Sequence, residues 1–247
     1  MTADSIAAAK RMFEEALAER SFYDRQTADD AHLQAILRFV PVDPGMRILD
    51  LGTGNGYLAF AFAAEYPGAD VTGLDIAENA LERNRQRAQQ NHADNLHFAA
   101  YDGRRFPFSD GAFDLVVSRY ALHHFPEIRQ SLSEISRVLT QGGKFFLSDP
   151  APHNSDLSGF ADEYMQVKPD GHIRFYSRRE WETMCRQQGF SLLAAFSGSI
   201  RFPRKNEPAY QEIIRRHGRA VADAYEITVA GDEIYITEQV NNLLFQK

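Results

Sequence analysis

The chain of 247 residues has few cysteines and no long hydrophobic runs. Cys185 is its one cysteine, which excludes an intramolecular disulfide and a cysteine-based zinc cluster. The longest apolar stretch, residues 58–64, is far shorter than the roughly 20 residues that span a bilayer. The N-terminus lacks the basic flank and the apolar block of a secretory signal. These absences predict a cytoplasmic protein with no membrane partner.

Positive charge is also in deficit. Lys and Arg number 27 against 34 for Asp and Glu, which gives a formal net charge of −7 at pH 7. Because nucleic-acid binding rests largely on cationic contacts to phosphate, this balance predicts no nucleic-acid partner. One segment does concentrate basic residues, and we interpret it as the solvated face of a helix. Its members are Arg215, Arg216, His217 and Arg219.

Short apolar segments alternate with helical patterns through the middle of the chain. Strands are predicted at 47–51, 70–75, 96–100, 113–118 and 143–148. Helices are predicted at 57–66, 78–91 and 127–139. This alternation requires parallel strands joined by crossover helices. The sequence therefore predicts an α/β fold with a doubly wound, mostly parallel sheet, which the later segments extend to seven strands.

The flanking segments complete a single domain. Helices at 4–20 and 27–40 predict an N-terminal helical cap, residues 1–44, ahead of a core at 45–149. Residues 150–176 break the pattern with three prolines and follow the fifth strand, at the edge where doubly wound sheets bind ligands, so they predict a substrate lid. Residues 177–247 supply the remaining sheet. Their predicted elements are helices at 177–188 and 207–222, a strand at 191–200, and a last strand within 233–245 that can form a hairpin with 225–229.

The strongest functional signal is the loop that leaves the first strand, in which Gly52, Gly54 and Gly56 occupy every second position. Glycine permits a tight turn and lets the backbone approach a ligand closely. The second strand ends in Asp75, about twenty residues further on, where a carboxylate can accept both hydroxyls of a ribose. This context predicts a nucleoside site, although an Asp at that position also suits a turn or a helix cap.

Two features distinguish the loop from a dinucleotide-binding fingerprint. The spacing is Gly-x-Gly-x-Gly rather than Gly-x-Gly-x-x-Gly, and Asp50 stands two positions before the first glycine. A carboxylate there would oppose the negative charge of a pyrophosphate. S-adenosylmethionine has no phosphate and carries a positive sulfonium and a positive ammonium group, so Asp50 suits it better.

Further segments follow in a recognisable order. They are Leu49–Gly56, Gly73–Ala77, Tyr101–Gly103 with Phe106–Phe108, Phe113–Ser118, His123–Phe125, and Arg137–Leu139 before Gly142-Gly143. Through these segments, residues 45 to 150 resemble class I S-adenosylmethionine-dependent methyltransferases. The resemblance is to the small-molecule group that includes the quinone-biosynthesis C-methyltransferases. It implies a Rossmann-like methyltransferase fold in which residues 45–149 bind the cofactor.

The resemblance assigns specific positions to S-adenosylmethionine. They are Asp50, Gly52, Thr53, Gly54, Gly56, Asp75, Ile76, Asp102, Gly103, Ser118 and Arg119. It implies that Asp50 and the glycine loop hold the methionine part and that Asp75 binds the ribose. Ile76, Asp102 and Gly103 would contact the adenine, and Ser118 or Arg119 would close over the methionine end. An Asp-Gly pair is also common in turns, so a purely structural role for Asp102 stays open.

Methyl transfer from a sulfonium is an in-line displacement, which requires alignment and exclusion of water rather than a nucleophilic side chain or a metal. We therefore predict no metal site. A base helps where the acceptor must lose a proton, and His123, His124 and Asp149 are the candidates at the ligand edge. Each of them also suits a role in shaping its loop or turn. His153 and His172 are predicted to be exposed histidines of the lid.

Several aromatic residues suit either acceptor contacts or ordinary packing. They are Tyr23, Phe160, Tyr164, Phe175, Tyr176, Trp181, Phe196 and Phe202. The function predicted from the whole pattern is transfer of a methyl group from S-adenosylmethionine to a small-molecule acceptor. The alternatives are a non-catalytic S-adenosylmethionine-binding module, a methyltransferase acting on a macromolecule, and a nicotinamide-dependent oxidoreductase. The sequence leaves the acceptor, the methylated atom and a homodimer open.

Overall fold

The N-terminal cap is described only in part. The structure is a computed structural model that describes residues 29–168 and 170–247. The predicted helix at 4–20, Tyr23 and Pro169 lie outside the described residues. Helix α1 (Asp30–Phe39) belongs to the predicted cap, and it begins after Asp29, whose side chain accepts the His32 N–H at 2.9 Å. A side-chain acceptor at this position satisfies one of the free N–H groups of the first helical turn.

Strands and helices alternate through the core in the predicted order. They are β1 (Arg47–Leu51), α2 (Tyr57–Glu65), β2 (Asp70–Asp75), α3 (Glu78–Gln90), β3 (Leu96–Ala100), β4 (Phe113–Arg119), a 3-10 turn (Leu122–His124), α4 (Ile128–Val138) and β5 (Leu139–Ala151). The first three strands have the predicted bounds. Strand β5 begins and ends further out than predicted, so Pro150 belongs to the sheet rather than to a loop.

The second half of the chain departs from prediction in two places. Its elements are α5 (Phe160–Gln166), α6 (Arg178–Gln187), β6 (Ser191–Lys205), α7 (Pro208–His217), α8 (Arg219–Ala224), β7 (Thr228–Ala230) and β8 (Glu233–Gln246). The single helix predicted at 207–222 is wrong, because Gly218, at φ 84°, ends one helix and begins another. The lid segment 150–176 is also more than a loop, since it contains α5.

The sheet confirms the predicted doubly wound α/β class. Its strand order is β3-β2-β1-β4-β5-β8-β6, with β7 paired to β8, so it has eight strands rather than the seven predicted. The pairs from β3 to β5 are parallel, whereas β8 is antiparallel to β5, β6 and β7. The order in which strands are added to the sheet reverses between β1 and β4, because β2 and β3 lie on one side of β1 and β4 and β5 on the other. Ligands bind at such a switch point in open α/β sheets.

Alternating strand residues fill cores on both faces of the sheet. Ile48 and Val117 pack with α1, α2 and α3 on one face, and Leu49 and Val116 pack with α4 and α6 on the other. Each large apolar side chain that is fully buried contributes about 1.5–3 kcal/mol of transfer free energy. Burial on both faces explains why the strands are nearly continuous apolar runs.

Strands β6 and β8 continue beyond the edge of β5. The partner of β5 at its end is Gln239, so residues 200–205 and 233–238 form an antiparallel extension, which β7 joins on the other side of 233–235. We call residues 200–205 and 233–238 the outer hairpin. A separate core joins it to α5, α7 and α8 through buried residues that include Phe160, Ile213 and Tyr225. The lid therefore packs on the outer hairpin. Within the described residues, no helix combines the length and apolar character needed to cross a bilayer.

Candidate active site

The loop between β1 and α2 requires glycine. Gly52, Gly54 and Gly56 have φ angles of 70°, 51° and 81°, in the left-handed region that other residues enter only at a cost. At Gly52 a side chain has no room either, because an added Cβ would lie 2.4 Å from the Cβ of Ala121. The loop therefore lies directly against the 3-10 turn that follows β4.

Asp50 lies buried beneath this loop. Its Oδ2 accepts the Thr53 hydroxyl at 2.6 Å and the Ala59 N–H at 3.0 Å, which ties the loop to the first turn of α2. The pKa of Asp50 is raised to about 7, mainly by burial and to a smaller extent by the nearby Asp75, against the hydrogen bonds from Thr53 and Ala59 and the charge of Arg119. A positive ligand group beside this carboxyl would favour its ionised form.

Asp75 joins the tip of the loop to the end of β2. Its Oδ2 accepts the Gly54 N–H at 2.8 Å, and its Oδ1 accepts the Ala77 N–H at 2.9 Å. Burial raises the pKa of Asp75 as well. Because a carboxylate has about four acceptor positions, each oxygen can still accept a ligand hydroxyl.

A cleft of about 970 Å³ opens over these carboxylates at the C-terminal ends of β1, β2 and β4. Eight of the residues predicted to bind the cofactor line it. They are Asp50, Gly52, Thr53, Gly54, Asp75, Ile76, Gly103 and Arg119. Its apolar wall includes Leu58, Phe125 and Pro126, so the cleft combines a few polar groups with an apolar surface, as ligand sites commonly do.

Three predicted cofactor contacts do not line the cleft, and each has a structural role instead. Gly56 begins α2 in a left-handed conformation, with the Phe60 ring 2.7 Å from where a Cβ would lie. The Ser118 hydroxyl donates to the Leu51 carbonyl at 2.9 Å and joins β4 to β1. In a turn, Asp102 accepts the Arg105 N–H at 3.0 Å and the Arg104 N–H at 2.9 Å. These two hydrogen bonds hold the pKa of Asp102 below its usual range.

Two tyrosines that the sequence did not single out hold Arg119 in place. The Arg119 guanidinium carbon lies 4.6 Å from the ring centre of Tyr57 and 4.0 Å from that of Tyr120. Tyr120 has a φ of 52°, which is unusual for a side chain of this size and costs about 1–3 kcal/mol. The position of Tyr120 directly after the fourth strand is the one sequence signal that could have identified it.

His32 of α1 supports Tyr120 from behind. Its Nε2 lies 2.8 Å from Oδ1 of Asn242, and its Nδ1 lies 3.3 Å from the Tyr120 hydroxyl. Burial lowers the pKa of His32, so the ring is neutral at pH 7. A histidine on a helix in the N-terminal cap carries no sequence signal for such a role, since the contact is made 88 residues away.

A second cavity of about 470 Å³ adjoins the cleft, because Tyr120 and His124 line both. The lid, the outer hairpin and the 3-10 turn form its walls. The lining residues are Tyr120, His123, His124, Pro150, Met165, Lys168, Asp170, Phe175, Ile200, Phe202, Arg204 and Glu238. Of the aromatic residues considered as acceptor contacts, Phe175 and Phe202 lie here. The other described ones pack in hydrophobic cores, namely Phe160, Tyr164, Tyr176, Trp181 and Phe196.

The predicted catalytic candidates form one buried group. His123 Nδ1 lies 2.7 Å from Oδ1 of Asp149, which lines neither the cleft nor the second cavity. Burial lowers the pKa of His123 to about 3 and raises that of Asp149 to about 8, which favours the neutral form of each partner. Burial also lowers the pKa of His124 to about 3.

The prediction that His172 is exposed is wrong. Its ring is buried, with Nε2 2.9 Å from Oδ1 of Asp162. The cause is that the lid folds onto the 3-10 turn, where the N–H groups of Ile173 and Arg174 donate to the His123 carbonyl at 3.1 and 3.2 Å. His153 is half-buried, and its Nδ1 lies 2.7 Å from the Ser155 hydroxyl.

The basic segment on α7 and α8 is matched by acidic residues. Arg216 and His217 both pair with Glu163 of α5, Arg215 pairs with Glu212, and Arg219 pairs with Asp223. In the part of the chain that the structure describes, no group of three or more His, Cys, Asp or Glu side chains could hold a metal ion.

This fold and cleft define a class of enzyme. A family model described as a methyltransferase domain matches residues 42–189, more than half of the chain. The chain therefore belongs to this methyltransferase family, and the resemblance to class I S-adenosylmethionine-dependent methyltransferases is confirmed. The predicted cofactor, S-adenosylmethionine, is confirmed for this class.

Named relatives agree with the family. The chain is 34% identical over 139 residues to the uncharacterized methyltransferase YcgJ of Bacillus subtilis, covering 56% of this chain and 54% of that protein. It is 37% identical over 106 residues to a demethylmenaquinone methyltransferase of Thermus thermophilus, covering 43% and 48%. The aligned part thus spans about half the length of the curated relatives. The crystal structure of YcgJ has the same fold, with a TM-score of 0.75 at 24% identity over 89% of this chain and 99% of that one.

The residues of the cleft fit the cofactor of the family. Asp50 is a buried carboxyl beside the glycine loop, which suits a ligand that carries positive charge, and Arg119 is the cation among the described residues that line the cleft. Gly52 leaves no space for a side chain between the loop and the 3-10 turn. Asp75 presents both carboxyl oxygens at the end of β2, the position for a ribose. We call this the cofactor cleft.

Proposed function

We propose that this chain transfers the methyl group of S-adenosylmethionine to a small molecule held in the second cavity. The observation that carries the proposal is that this cavity adjoins the cofactor cleft, with Tyr120 and His124 as the shared wall. When bound, the cofactor supplies a methyl group on a positive sulfur, which is ready for displacement. The protein then has to align the acceptor and exclude water, and alignment alone is worth about 7–11 kcal/mol.

The second cavity suits a small acceptor. Apolar side chains line most of it, together with a few polar groups that could orient a ligand, as in small-molecule sites generally. The Thermus thermophilus relative is named for demethylmenaquinone, a small molecule. The paired state of Arg215, Arg216 and Arg219 argues against a nucleic-acid acceptor at α7 and α8. A cytoplasmic location without a membrane partner belongs to the same proposal.

The histidines position the acceptor rather than remove a proton from it. A base works best when its pKa lies near the operating pH. Burial lowers the pKa of both His123 and His124 to about 3, far below that range. We therefore propose that His124 contacts the acceptor as a neutral ring, and that Asp149 orients His123 at the cavity wall.

Two measurements test the proposal. Calorimetry with S-adenosylhomocysteine should give one binding event per chain, and methyl-labelled S-adenosylmethionine with fractionated metabolite extracts should yield label in a small molecule. Label that appears only in the protein or nucleic-acid fraction would favour a macromolecular acceptor. Stabilisation by NADH but not by S-adenosylhomocysteine would overturn the cofactor assignment.

Cofactor binding should strengthen with pH around neutrality. Asp50 has a pKa of about 7 without a ligand, so it holds a proton below that pH. The positive ammonium of S-adenosylhomocysteine favours the carboxylate, so binding releases this proton and affinity should rise about tenfold between about pH 6 and about pH 8. Calorimetry across this range measures the slope. In Asp50→Asn the slope should vanish, and a slope that persists there would assign it to another group, such as Asp75.

A further inference from the structure

Two ionisable residues lie on the inward face of the outer hairpin, which is otherwise apolar. The register pairs Ile200 with Glu238, Phe202 with Ile236, and Arg204 with Ile234. Directly opposed residues of antiparallel strands point to the same face of a sheet, and so do residues two apart along one strand. Arg204 and Glu238 therefore share a face with Ile200, Phe202, Ile234 and Ile236, all of them buried.

Arg204 is buried with donors unused. It is 4% exposed, its Nη2 lies 3.5 Å from the thioether of Met165, and its Nε and Nη1 have no hydrogen-bond partner among the described residues. Its guanidinium carbon lies 4.4 Å from the centre of the Phe202 ring, so the side chain runs along the strand toward Glu238. A buried donor without a partner is costly, and a buried cation more so. Both unused nitrogens belong to a residue that lines the second cavity.

Glu238 has an unused acceptor in the same cavity. It is 1% exposed, and its Oε1 has no hydrogen-bond partner. Burial raises the pKa of Glu238 to about 8, against the opposing effect of Arg204, so the carboxyl is mostly protonated at pH 7. The remaining cation of the wall, Lys168, lies 3.3 Å from the Asp170 carboxylate, which balances its charge. Arg204 makes no ion pair within 4.0 Å in the described part of the chain, and its charge acts at longer range on Asp170 and Glu238.

We propose that Arg204 binds an anionic oxygen of the acceptor, a carboxylate on a compact apolar body, and that Glu238 donates a hydrogen bond to the same molecule. This inference rests on the proposed function, since it identifies the chemical class that the second cavity takes. The unused nitrogens of Arg204 supply the charge, and Phe175, Ile200 and Phe202 supply the apolar surface. Hydrogen bonds to charged groups are the stronger ones in proteins, so Arg204 selects carboxylates over neutral analogues.

Binding of matched probes to the full chain saturated with S-adenosylhomocysteine tests the inference. The probes are benzoate and 1-naphthoate, each compared with its primary amide, and calorimetry gives the affinities. We expect the carboxylates to bind about 10- to 100-fold more tightly than the amides, and Arg204→Met to remove that preference. Glu238→Gln should keep it, because glutamine resembles the protonated acid. The matched control is Lys205→Met, which removes an exposed cation from the next position of β6. This variant should keep the preference for carboxylates over amides.

The outcomes separate this inference from the proposed function. Amides that bind as well as carboxylates, carboxylates that do not bind, or a preference that survives Arg204→Met would each overturn the role of Arg204. Affinity for S-adenosylhomocysteine is measured for every variant first, because the cofactor cleft does not include Arg204 or Glu238. If the wild-type chain does not bind S-adenosylhomocysteine, the proposed function itself would be overturned. Retained cofactor affinity in Arg204→Met shows that the variant is folded.

Discussion

Replacing Asp75 with asparagine should weaken the binding of S-adenosylhomocysteine by about 100-fold, because hydrogen bonds to a charged group contribute about 1.5–3 kcal/mol each. The two oxygens of Asp75 accept the N–H groups of Gly54 and Ala77. An amide supplies one acceptor in place of two, so its NH₂ group must face one of those donors. The loop tip loses its attachment to β2 and the ribose loses a partner. Calorimetry at a pH of about 8 measures the effect.

The matched control lies at the other end of the same strand. Asp70 is the first residue of β2, exposed and 3.2 Å from the ring of His97, far from the loop. Asp70→Asn should leave the affinity for S-adenosylhomocysteine within about twofold, since surface ion pairs contribute little. Equal affinities for Asp75→Asn and the wild-type chain would refute the assignment of Asp75 to the ribose.

His123→Ala should lower the free energy of unfolding by about 3–5 kcal/mol, because a buried polar group left without its partner costs about 1–3 kcal/mol and truncation of a buried ring adds a comparable loss of packing. The substitution leaves Asp149, 1% exposed, without the ring that it contacts at 2.7 Å. It also removes the packing of His123 against Phe175, whose ring centre lies 5.0 Å away. Urea unfolding at pH 7, followed by circular dichroism, measures the change.

Asp149→Asn distinguishes two protonation states of the pair. Burial lowers the pKa of His123 and raises that of Asp149, so we expect a neutral imidazole beside a protonated carboxyl. An asparagine resembles the protonated acid and can still donate to Nδ1, so we expect a loss of only about 1 kcal/mol, one ordinary hydrogen bond. A loss as large as that of His123→Ala would mean that the pair is an imidazolium and a carboxylate.

Local patterns predicted the fold where the signal is contained in one segment. The bounds of β1, β2 and β3 agree with prediction because short apolar runs between turn residues specify them. Strand β6 continues beyond its predicted end at Ile200 and includes Pro203. Proline is tolerated here because β6 is an edge strand. Gly218 was not recognised as a helix end because an isolated glycine also occurs inside helices.

The two halves of the site differ in how far sequence could predict them. Asp50 and Asp75 follow from one loop and one strand, so their roles have a local signature. Asp102 illustrates the limit, because only the structure shows that its carboxyl closes a turn. Tertiary packing brings Arg204 and Glu238 to the cavity that His124 also lines. No motif joins these three residues, because they are separated by 80 and 34 positions along the chain. Phe202 and Arg204 are two positions apart in a strand, so they point to the same face. This spacing could identify Arg204 as a residue of the cavity only if the inward face of the strand were already known.

The outer hairpin gives this enzyme a modular construction. In the function that we propose, the first half of the chain holds the methyl donor, while part of the surface that faces the molecule to be modified stands on a ribbon that projects past the sheet. Substitutions on the inward side of that ribbon can alter selectivity without disturbing the donor compartment. Grafting the ribbon and its covering helices onto a related scaffold should therefore transfer the choice of target as a unit.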